Sequence, residues 1–576
     1  MQSMENDITI LIGGAAGQGI QTIGALLAKV CHNAGLYIYS TDDFESRVRG
    51  GHNFHLLRIG TKPLYAPSDL PDILVAIDDR TSKLHGHNLR PGGIIIANSS
   101  KGSTDLPGVY NIPLEQLAQE AGGAISSNTI AAGCVLAAIG ARFRDFEKVL
   151  KEWFRIKGEK IVHLNLKAAR TGYDAGSNID FPSVFDFTPD DNENIVLSGA
   201  KAAALGAVAA DCRFFSFYPM SPGTAIISNA VELADKLPLV IEQAEDEPGA
   251  INMAIGASFA GVRSLTATSG GGFCLMTEGL GLAGMAEIPV VIINAQRPGP
   301  ATGLATRTAQ ADLLFVINSS QDEFPRFVFA PGSPHKTFDT VKRAFYLSEK
   351  YQVPAIVLMD QFLMDSSCTK PGQLEIGREY ESFLGYDTDM YQNKIYHRYA
   401  LNDTGVSPRI LPCTSSALVR STGNEHSEEG FSLEEPCNRK VMVEKRFKKL
   451  SMMTREMEPP EISFDDSQFF LTGWGSSRGC IMDACLGLRK EGIDAGFIIF
   501  EDIWPMDGEK ISRILENKRL IMVEGNAACQ LGTLIRQQTG INHAGSVLKY
   551  DGRPMFPSYI MEKAKKVINA LQSRGT

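Results

Sequence analysis

Three short stretches between positions 218 and 306 combine the residue types that bind a small acid and move a proton. The first, Tyr218–Thr224, places two hydroxyl side chains, Ser221 and Thr224, on either side of a Pro-Gly turn. The second, Glu245–Gly249, carries three consecutive acids, and the third, Gln296–Thr306, has Arg297 as its second residue. Each stretch lies between an apolar strand and a helix, where open α/β sheets collect their ligand groups. Together they predict one surface that binds a small acid and activates a cofactor.

The acidic stretch points to proton transfer. Pro248 is of the type favoured at the first helical position, so Glu247 is expected at the helix cap with a rigid backbone. A purely structural cap is the alternative, because carboxylates are common at caps. Three neighbouring acids repel one another, and an acid of this kind that is screened from water gains affinity for a proton. Such a carboxylate is suited to sharing a proton with a ligand.

The other two stretches supply groups that bind anions. Arg297 ends a strand and can form a two-pronged pair with a substrate carboxylate, while Thr306 donates a further hydrogen bond. A surface salt bridge is the alternative for the arginine. Ser221 and Thr224 offer hydroxyls at a helix start, or form an ordinary helix cap. Gly270 begins a run of three glycines that brings the backbone close to another chain or a cofactor ring, or that makes a tight turn.

A glycine-rich turn near the N-terminus follows the apolar strand Ile8–Ile12 and opens a helix. Its backbone N–H groups and the positive end of the helix can hold phosphate, with glycines at Gly13, Gly14, Gly17 and Gly19. The spacing differs from the dinucleotide fingerprint, and a tight turn is the alternative. Arg47 and Arg49 favour a polyphosphate or an adenosine phosphate, although a solvated edge would also explain them.

The elements that must position these groups fall into four predicted segments, residues 1–187, 194–375, 376–465 and 466–576. The first, second and fourth alternate apolar strands with helices, which is typical of α/β domains with mainly parallel sheets. In the second segment, strands are predicted at Phe214–Met220, Leu239–Gln243, Val262–Thr268, Pro289–Ala295 and Pro354–Met359. In the first, one long helix is predicted over Phe146–Ala168. The third is predicted to be an extended crossover that ends in an exposed helix.

Composition excludes several functions. The chain has 576 residues and a net charge of -10, which argues against a nucleic-acid-binding surface. The closest pair among its ten cysteines, Cys480 and Cys485, lacks the spacing of zinc or iron–sulfur ligands, so buried reduced thiols are expected. Met1–Asp7 does not have the composition of a signal peptide, and no run reaches the length of a membrane span. We therefore expect a cytoplasmic protein.

Several long motifs resemble one family in the family's own order. The chain is similar to the α subunit of 2-oxoacid:ferredoxin oxidoreductases with a γ domain fused ahead of the α part, and looks most like the 2-oxoglutarate:ferredoxin oxidoreductase (KorA) branch. The motifs are Gly13–Ile20, Ser46–His52, Tyr218–Thr224, Thr266–Gly270, Met276–Gly279, Gly281–Met285, Gln296–Thr306, Gly405–Arg409 and Gly423–Gly430. The resemblance implies a γ domain, a pyrimidine-binding domain and a C-terminal domain like that of transketolase.

The resemblance also implies a reaction. The enzyme would oxidatively decarboxylate a 2-oxo acid, most specifically 2-oxoglutarate, on thiamine diphosphate, pass electrons through a 4Fe–4S cluster to ferredoxin and form an acyl-CoA. A separate β subunit would share the thiamine diphosphate and carry Mg²⁺ and the cluster, in a dimer of α–β heterodimers. The alternatives are a paralogue that acts on pyruvate or branched-chain 2-oxo acids and a non-catalytic nucleotide-binding regulatory protein.

Roles follow from the resemblance position by position. Glu247 matches the glutamate that protonates the aminopyrimidine ring of thiamine, and Arg297 matches the arginine that holds the 2-oxo acid carboxylate. Ser221 and Thr224 belong to the substrate motif, Thr306 is a second hydroxyl contact and Arg307 is the candidate for a second carboxylate. The γ-domain glycines, Arg47 and Arg49 are implied to face CoA. The family usually has Thr, Ser, Ser and Glu at the positions of Ser221, Gly223, Ala301 and Ala309.

Overall fold

The computed structural model describes residues 7–45, 50–101, 106–123, 126–182, 185–188, 193–374, 383–384 and 395–573. Arg47 and Arg49 lie outside the described residues. The chain forms two compact units. One comprises Met1–Ser198, Asp365–Leu374 and Phe556–Ser558, and the other comprises Gly199–Met364, Glu375–Met555 and Tyr559–Thr576. The four-segment division of the sequence remains a prediction.

The first unit is built around one mixed sheet. Its strands are β1 (Asp7–Ala16), β2 (Tyr37–Phe44), β3 (Gly50–Gly60), β4 (Ile73–Ala76), β5 (Ile94–Asn98), β6 (Val109–Ile112), β7 (Ile195–Ser198) and, from much further along the chain, β14 (Ser367–Lys370). Its helices are α1 (Ile20–Asn33), α2 (Asp79–His85), α3 (Leu114–Ala121), α4 (Ser127–Ala138), α5 (Phe143–Trp153) and α6 (Glu159–Gly176). The strand order is β6-β5-β4-β1-β3-β2-β14-β7. The half from β6 to β1 is parallel, whereas the remaining pairings are antiparallel.

One helix prediction in this unit is wrong. The single helix expected over Phe146–Ala168 is two helices, because α5 ends at Trp153 and α6 begins at Glu159. Gly158 between them has φ 90°, a left-handed conformation that ends helical hydrogen bonding and that glycine adopts without a steric penalty. The second helix packs closely on α4, where Gly172 leaves room for the backbone of Ile130.

The second unit contains the remaining elements. Its strands are β8 (Phe214–Phe217), β9 (Val240–Gln243), β10 (Ser264–Thr268), β11 (Val290–Gln296), β12 (Phe327–Phe329), β13 (Pro354–Asp360), β15 (Glu461–Ser463), β16 (Phe469–Trp474), β17 (Ala495–Phe500), β18 (Asp502–Trp504), β19 (Arg519–Glu524) and β20 (Gly545–Leu548). Its helices are α7 (Gly199–Ala209), α8 (Thr224–Ala234), α9 (Glu247–Phe259), α10 (Gly270–Met285), α11 (Leu313–Asn318), α12 (Pro334–Tyr351), α13 (Gln361–Asp365), α14 (Pro436–Glu456), α15 (Ser477–Lys490), α16 (Gly508–Leu515), α17 (Gln530–Thr539) and α18 (Pro557–Ser573).

These strands form two sheets within the described residues. The larger has the order β18-β12-β13-β11-β10-β8-β9 and is parallel except for β18. The smaller has the order β15-β17-β16-β19-β20 and is parallel except for β15. The apolar strands of the larger sheet are buried on both faces, since Ile292 faces one hydrophobic cluster and Ile293 the other. The predicted α/β class is confirmed, and the five strands predicted in the second segment correspond to β8, β9, β10, β11 and β13.

The helix predicted to be exposed at the end of the third segment is in part buried. Lys445 and Lys449 of α14 are each 1% exposed, and both pair with the buried carboxylate of Glu287. Arg446 of the same helix pairs with Glu425. The run of charges in this segment thus includes a packed face, since Lys445, Arg446 and Lys449 are buried against carboxylates from outside the helix, whereas Glu444 and Lys448 are exposed.

None of the helices in the described part of the chain combines the length and apolar character needed to cross a lipid bilayer.

Candidate active site

Glu247 is the first residue of α9 and is almost completely buried. Asp246, and not Glu247 as predicted, caps the helix, since its side chain accepts a hydrogen bond of 2.7 Å from the Gly249 N–H. The Glu247 side chain is therefore not needed at the cap. It is only 3% exposed, and its Oε1 has no hydrogen-bond partner within the described residues. A buried carboxylate oxygen without a partner is costly, so this group calls for a functional explanation.

The glycines that begin α10 allow the backbone to approach this carboxylate. A β-carbon added at Gly272 would lie 2.6 Å from Glu247 Oε1 and would also collide with Thr268 Oγ1. The two oxygens thus converge on the bare backbone of Gly272. At Gly270 the space that a side chain would need is taken by the carboxylate of Asp312. Close approach, and not a tight turn alone, explains why glycine stands at these positions.

The turn after β8 presents the predicted hydroxyl groups. Thr224 begins α8, and its N–H donates to the Met220 carbonyl at 3.2 Å. The cap position is occupied by Gly223, which has no side chain, so neither Ser221 nor Thr224 caps the helix with its hydroxyl. Neither hydroxyl makes a hydrogen bond in the part of the chain that the structure describes. Both remain available to a ligand.

Arg297 joins this turn to the loop after β11. Its Nη1 donates to the Ser221 carbonyl at 2.8 Å, which is its one hydrogen bond to the described residues. Burial lowers the pKa of the Arg297 guanidinium, and none of the described residues forms an ion pair with it. The surface-salt-bridge alternative is not what the geometry shows.

Thr306 and Arg307 lie further along the same loop. Both are partly exposed, and the Arg307 N–H donates to the Leu304 carbonyl at 3.1 Å. The Arg307 side chain packs on Gly552, where an added β-carbon would lie 3.2 Å from Arg307 Cβ. The structure thus brings Ser221 into direct contact with Arg297, and places Thr306 and Arg307 at the far end of that loop.

Asp312 is a candidate that the sequence analysis missed. Its carboxylate accepts from Asn294 Nδ2 at 3.1 Å and lies against Gly270, and burial raises its pKa. It occupies the cap position of α11 but does not cap that helix with its side chain. A polar residue in the apolar strand β11, Asn294, was the available signal. Asn294 is fully buried and its Oδ1 also lacks a partner among the described residues.

The glycine-rich turn lies in the first unit. Gly13 and Gly14 belong to β1, which extends further than predicted, so only Gly17 and Gly19 lie in the turn itself. Both have positive φ values, 90° and 74°, and Gly19 caps α1 without a side chain. The Ala15 N–H is already used by Gln18 Oε1 at 2.6 Å. The start of α1 is consequently the part of the turn that has backbone N–H groups to offer a phosphate.

Known proteins match this chain over nearly its whole length. A family model described as pyruvate ferredoxin/flavodoxin oxidoreductase matches residues 9–175, and one described as the thiamine-diphosphate-binding part of pyruvate flavodoxin/ferredoxin oxidoreductase matches residues 205–445. The alpha subunit of a 2-oxoacid:ferredoxin oxidoreductase from Saccharolobus solfataricus is 32% identical, over 98% of this chain and 99% of the relative. The chain belongs to the 2-oxoacid:ferredoxin oxidoreductase family. The resemblance stated from its motifs is confirmed.

Two further relatives refine the comparison. The 2-oxoglutarate oxidoreductase subunit KorA of Mycobacterium tuberculosis is 28% identical, over 85% of this chain and 81% of the relative. A solved structure of 2-oxoglutarate:ferredoxin oxidoreductase from Magnetococcus marinus is 29% identical, with a TM-score of 0.90 over 98% of this chain and 100% of that one. That structure is described as having 2-oxoglutarate, coenzyme A and succinyl-CoA bound. As an alpha subunit, the present chain is one part of an oxidoreductase that has at least one further subunit.

Proposed function

We propose that this oxidoreductase subunit acts with a β subunit to convert a 2-oxo acid, most specifically 2-oxoglutarate, and CoA into an acyl-CoA, with electrons passed to ferredoxin. The observation that carries the proposal is the buried, unpartnered Oε1 of Glu247 beside Gly272. The bound 2-oxoglutarate and coenzyme A of the Magnetococcus marinus relative support the substrate class.

The groups around Glu247 fit the aminopyrimidine ring of thiamine diphosphate. A protonated Glu247 can donate a hydrogen bond to a ring nitrogen, which would give the buried oxygen the partner that it lacks. Gly272 lets the backbone approach this position, and Thr268 Oγ1 lies beside it. The coenzyme supplies the stabilisation of negative charge on the carbon that loses CO₂. Glu247 contributes by holding and returning one proton at Oε1.

The substrate carboxylate is assigned to the junction of the two loops. Arg297 uses one guanidinium N–H on the Ser221 carbonyl, which fixes the side chain and leaves further N–H groups for a carboxylate. The hydroxyls of Ser221, Thr224 and Thr306 are proposed to add hydrogen bonds. For a second carboxylate, as in 2-oxoglutarate, Arg307 is the proposed cation on this chain.

The first unit is proposed to bind CoA. Gly17 and Gly19 expose the backbone at the start of α1, where the helix dipole favours a phosphate. Gly13 and Gly14 are proposed to support the turn from within β1. Arg47 and Arg49 are proposed to supply the cations for the CoA phosphates.

The β subunit is proposed to cover the exposed faces of α9 and α10. The apolar side chains of Met253 on α9 and Leu275 on α10 are 42% and 56% exposed. A β-carbon at Gly256 would meet nothing within 4 Å, and one at Gly271 would meet only the Ala301 carbonyl. An apolar, glycine-containing face of this kind is suited to a closely packed partner next to Glu247. That partner is proposed to carry Mg²⁺ and the 4Fe–4S cluster in a dimer of α–β heterodimers.

The proposal is tested by producing the chain together with its β subunit and measuring dye reduction. We expect reduction that requires both a 2-oxo acid and CoA, with 2-oxoglutarate giving the highest kcat/KM in a panel that includes pyruvate and branched-chain 2-oxo acids. A preference for pyruvate or a branched-chain acid would replace the substrate and leave the reaction type. The absence of any reduction by an iron-containing complex would refute the proposal.

A further inference from the structure

The loop that carries Arg297 is closed at its base by the larger sheet. Gln296, at the end of β11, accepts a hydrogen bond of 3.0 Å from the Asp312 N–H through its Oε1. Its Nε2 donates to the Met359 carbonyl of the neighbouring strand β13 at 3.2 Å. One buried amide side chain thus joins the two ends of the segment from Arg297 to Asp312.

A second buried amide, Gln310, lies two residues before Asp312 and is 3% exposed. Its Nε2 donates to the Trp474 carbonyl at 2.8 Å, and its Oε1 accepts from the Gly525 N–H at 2.9 Å. Its backbone N–H donates to the Gly525 carbonyl at 2.8 Å, and its carbonyl accepts from Asn526 Nδ2 at 3.0 Å. All four bonds go to the end of β16 and to the turn that follows β19, where these two strands pass into their turns. Four bonds by one residue fix both its backbone and its side chain.

These two turns lie where the smaller sheet would be expected to bind a ligand. The neighbouring strands β16 and β19 lead in opposite directions, since β16 is followed by β17 on one side and β19 is followed by β20 on the other. Open α/β sheets bind their ligands outside the carboxyl ends of the strands at such a reversal. Here the position is filled by Gln310 of the protein itself. A β-carbon at Gly525 would lie 3.2 Å from Gln310 Cγ and Oε1, so glycine gives the space that this fit requires.

Neighbouring contacts reinforce the same arrangement. Gln530 of α17 donates from Nε2 to the Ala311 carbonyl at 2.7 Å and accepts from the Leu314 N–H at 3.0 Å. The Thr308 N–H donates to the Gly552 carbonyl at 3.3 Å. Behind the turns, the buried Glu524 accepts from Trp474 Nε1 at 3.1 Å.

A small cavity separates Gln310 from the turn after β20. Its volume is about 30 Å³, and its lining includes Thr308, Asp360, Ser476, Lys549 and Arg553. This cavity is large enough to hold ordered water.

We infer that Gln310 is a positioning residue that fixes the Arg297–Thr306 loop on the turns after β16 and β19, and thereby sets the affinity of the enzyme for its 2-oxo acid. This inference rests on the proposed function, in which Arg297 holds the substrate carboxylate. Gln310 does not touch the substrate. It acts by restricting the positions that the arginine and Thr306 can adopt before the substrate binds.

The test compares variants of the assembled enzyme in steady-state assays. We expect Gln310→Leu to raise the KM for the 2-oxo acid by roughly three- to thirtyfold, with less than about a twofold change in the KM for CoA and in kcat. Gly525→Ala, which adds one methyl group against Gln310, is expected to raise the same KM by a smaller factor. If the Gln310→Leu enzyme does not assemble, the KM of Gly525→Ala tests the inference.

Gln352→Leu serves as the matched control, because Gln352 is another buried amide with two side-chain hydrogen bonds, to the Ser407 carbonyl and from Arg398. It should lower thermal stability without raising the KM for the acid. An equal rise of that KM in Gln352→Leu, or an unchanged KM in both Gln310→Leu and Gly525→Ala, would overturn the inference. Arg297→Ala is measured alongside. If it raises the KM and the Gln310 and Gly525 variants do not, only the inference fails. If it also leaves the KM unchanged, the proposed role of the loop fails first.

Discussion

Two buried glutamates of the second unit differ in how their carboxylates are satisfied. Glu287, between α10 and β11, accepts from Lys445 Nζ at 2.6 Å and from Lys449 Nζ at 2.5 Å. Burial alone would raise the pKa of the Glu287 carboxyl, but the charges of Lys449 and Lys445 hold it below its ordinary value. Glu247, 3% exposed, has no such cation, and its Oε1 has no partner among the described residues.

The difference is the one expected between a structural carboxylate and a carboxylate that is proposed to act on a cofactor. Glu287 joins α14 to the core, and the pKa of Lys449, which burial lowers to about 8, still leaves this lysine mainly charged at neutral pH. Its interactions are complete without a ligand. Those of Glu247 are not, and the protein tolerates this cost at the start of a helix where a partner can approach. Burial alone therefore does not distinguish the two glutamates, whereas the presence or absence of a partner among the described residues does.

The largest effect is expected for Glu287→Gln. This change removes the counter-ion of two lysines that are each 1% exposed, and breaking a buried ion pair costs about 3–5 kcal/mol of the free energy of unfolding. Urea titration of the variant measures this loss. Glu444→Gln, which alters an exposed pair with Lys440, is the control and should cost less than about 1 kcal/mol. Equal stability of the two variants would show that the buried cluster is not structural.

Glu247→Gln should have the opposite profile. We expect turnover to fall roughly a hundredfold or more, because proton transfer is lost, while thermal stability stays the same or rises as an unpartnered buried carboxylate is removed. Steady-state rates and thermal melts of the assembled enzyme measure the two quantities. Glu242→Gln, at an exposed position of β9, provides the control. Normal turnover in the Glu247 variant would contradict its role.

Arg297→Ala tests a partly buried cation that has no carboxylate partner among the described residues. Loss of one charge-assisted hydrogen bond should reduce substrate binding by about 1.5–3 kcal/mol, which is seen as a higher KM for the 2-oxo acid. Arg213→Ala removes an exposed arginine that already pairs with Asp211, and should leave the KM as it is. If the two variants have the same KM as the unmodified enzyme, the carboxylate is held elsewhere.

Asp360 is a buried carboxylate that has hydrogen-bond donors but no paired cation among the described residues. Its replacement is expected to have the smallest effect of the four changes. It accepts hydrogen bonds from the Ser476 hydroxyl and the Leu363 N–H, and burial raises its pKa from 3.8 to about 6. Between pH 3.8 and about 6, Asp360 holds a proton in the folded chain and releases it in the unfolded chain. The stability that Asp360 contributes is therefore present below pH 3.8 and is lost as the pH rises through about 6. Asp360→Asn should therefore show a smaller decrease in Tm between pH 4 and 7, by a few degrees at most. A parallel pH dependence in both proteins would exclude this titration.

Local patterns in the sequence predicted the elements better than their contacts. Five apolar strands of the larger sheet were located because their signals lie within a few residues. The charges of α14 were assigned to solvent because the partner of Lys445, Glu287, is 158 residues away. Asp312 was missed for the same reason, since its neighbour Gly270 is distant in sequence. The helix cap was assigned to Glu247 because Pro248 was taken as the first helical residue, one position too late.

At Ser221 the chain departs from the threonine that is usual in the family, so the family motif does not predict the substrate side chain there. Ser221 keeps the hydroxyl of the usual threonine but has no methyl group to restrict its rotamer. The hydrogen bond from Arg297 goes to its backbone carbonyl, which is the same for either residue. The contact that positions Arg297 is thus independent of this substitution.

The placement of β14 has a consequence for dividing the polypeptide. This strand, Ser367–Lys370, lies between β2 and β7 in the sheet of the first unit, although it follows most of the larger sheet of the second unit in sequence. A gene split after Ser198 would yield an N-terminal fragment whose strand β2 has an open edge of unpaired backbone groups. Such an edge recruits other chains, so the fragment would self-associate unless a peptide containing Ser367–Lys370 were supplied.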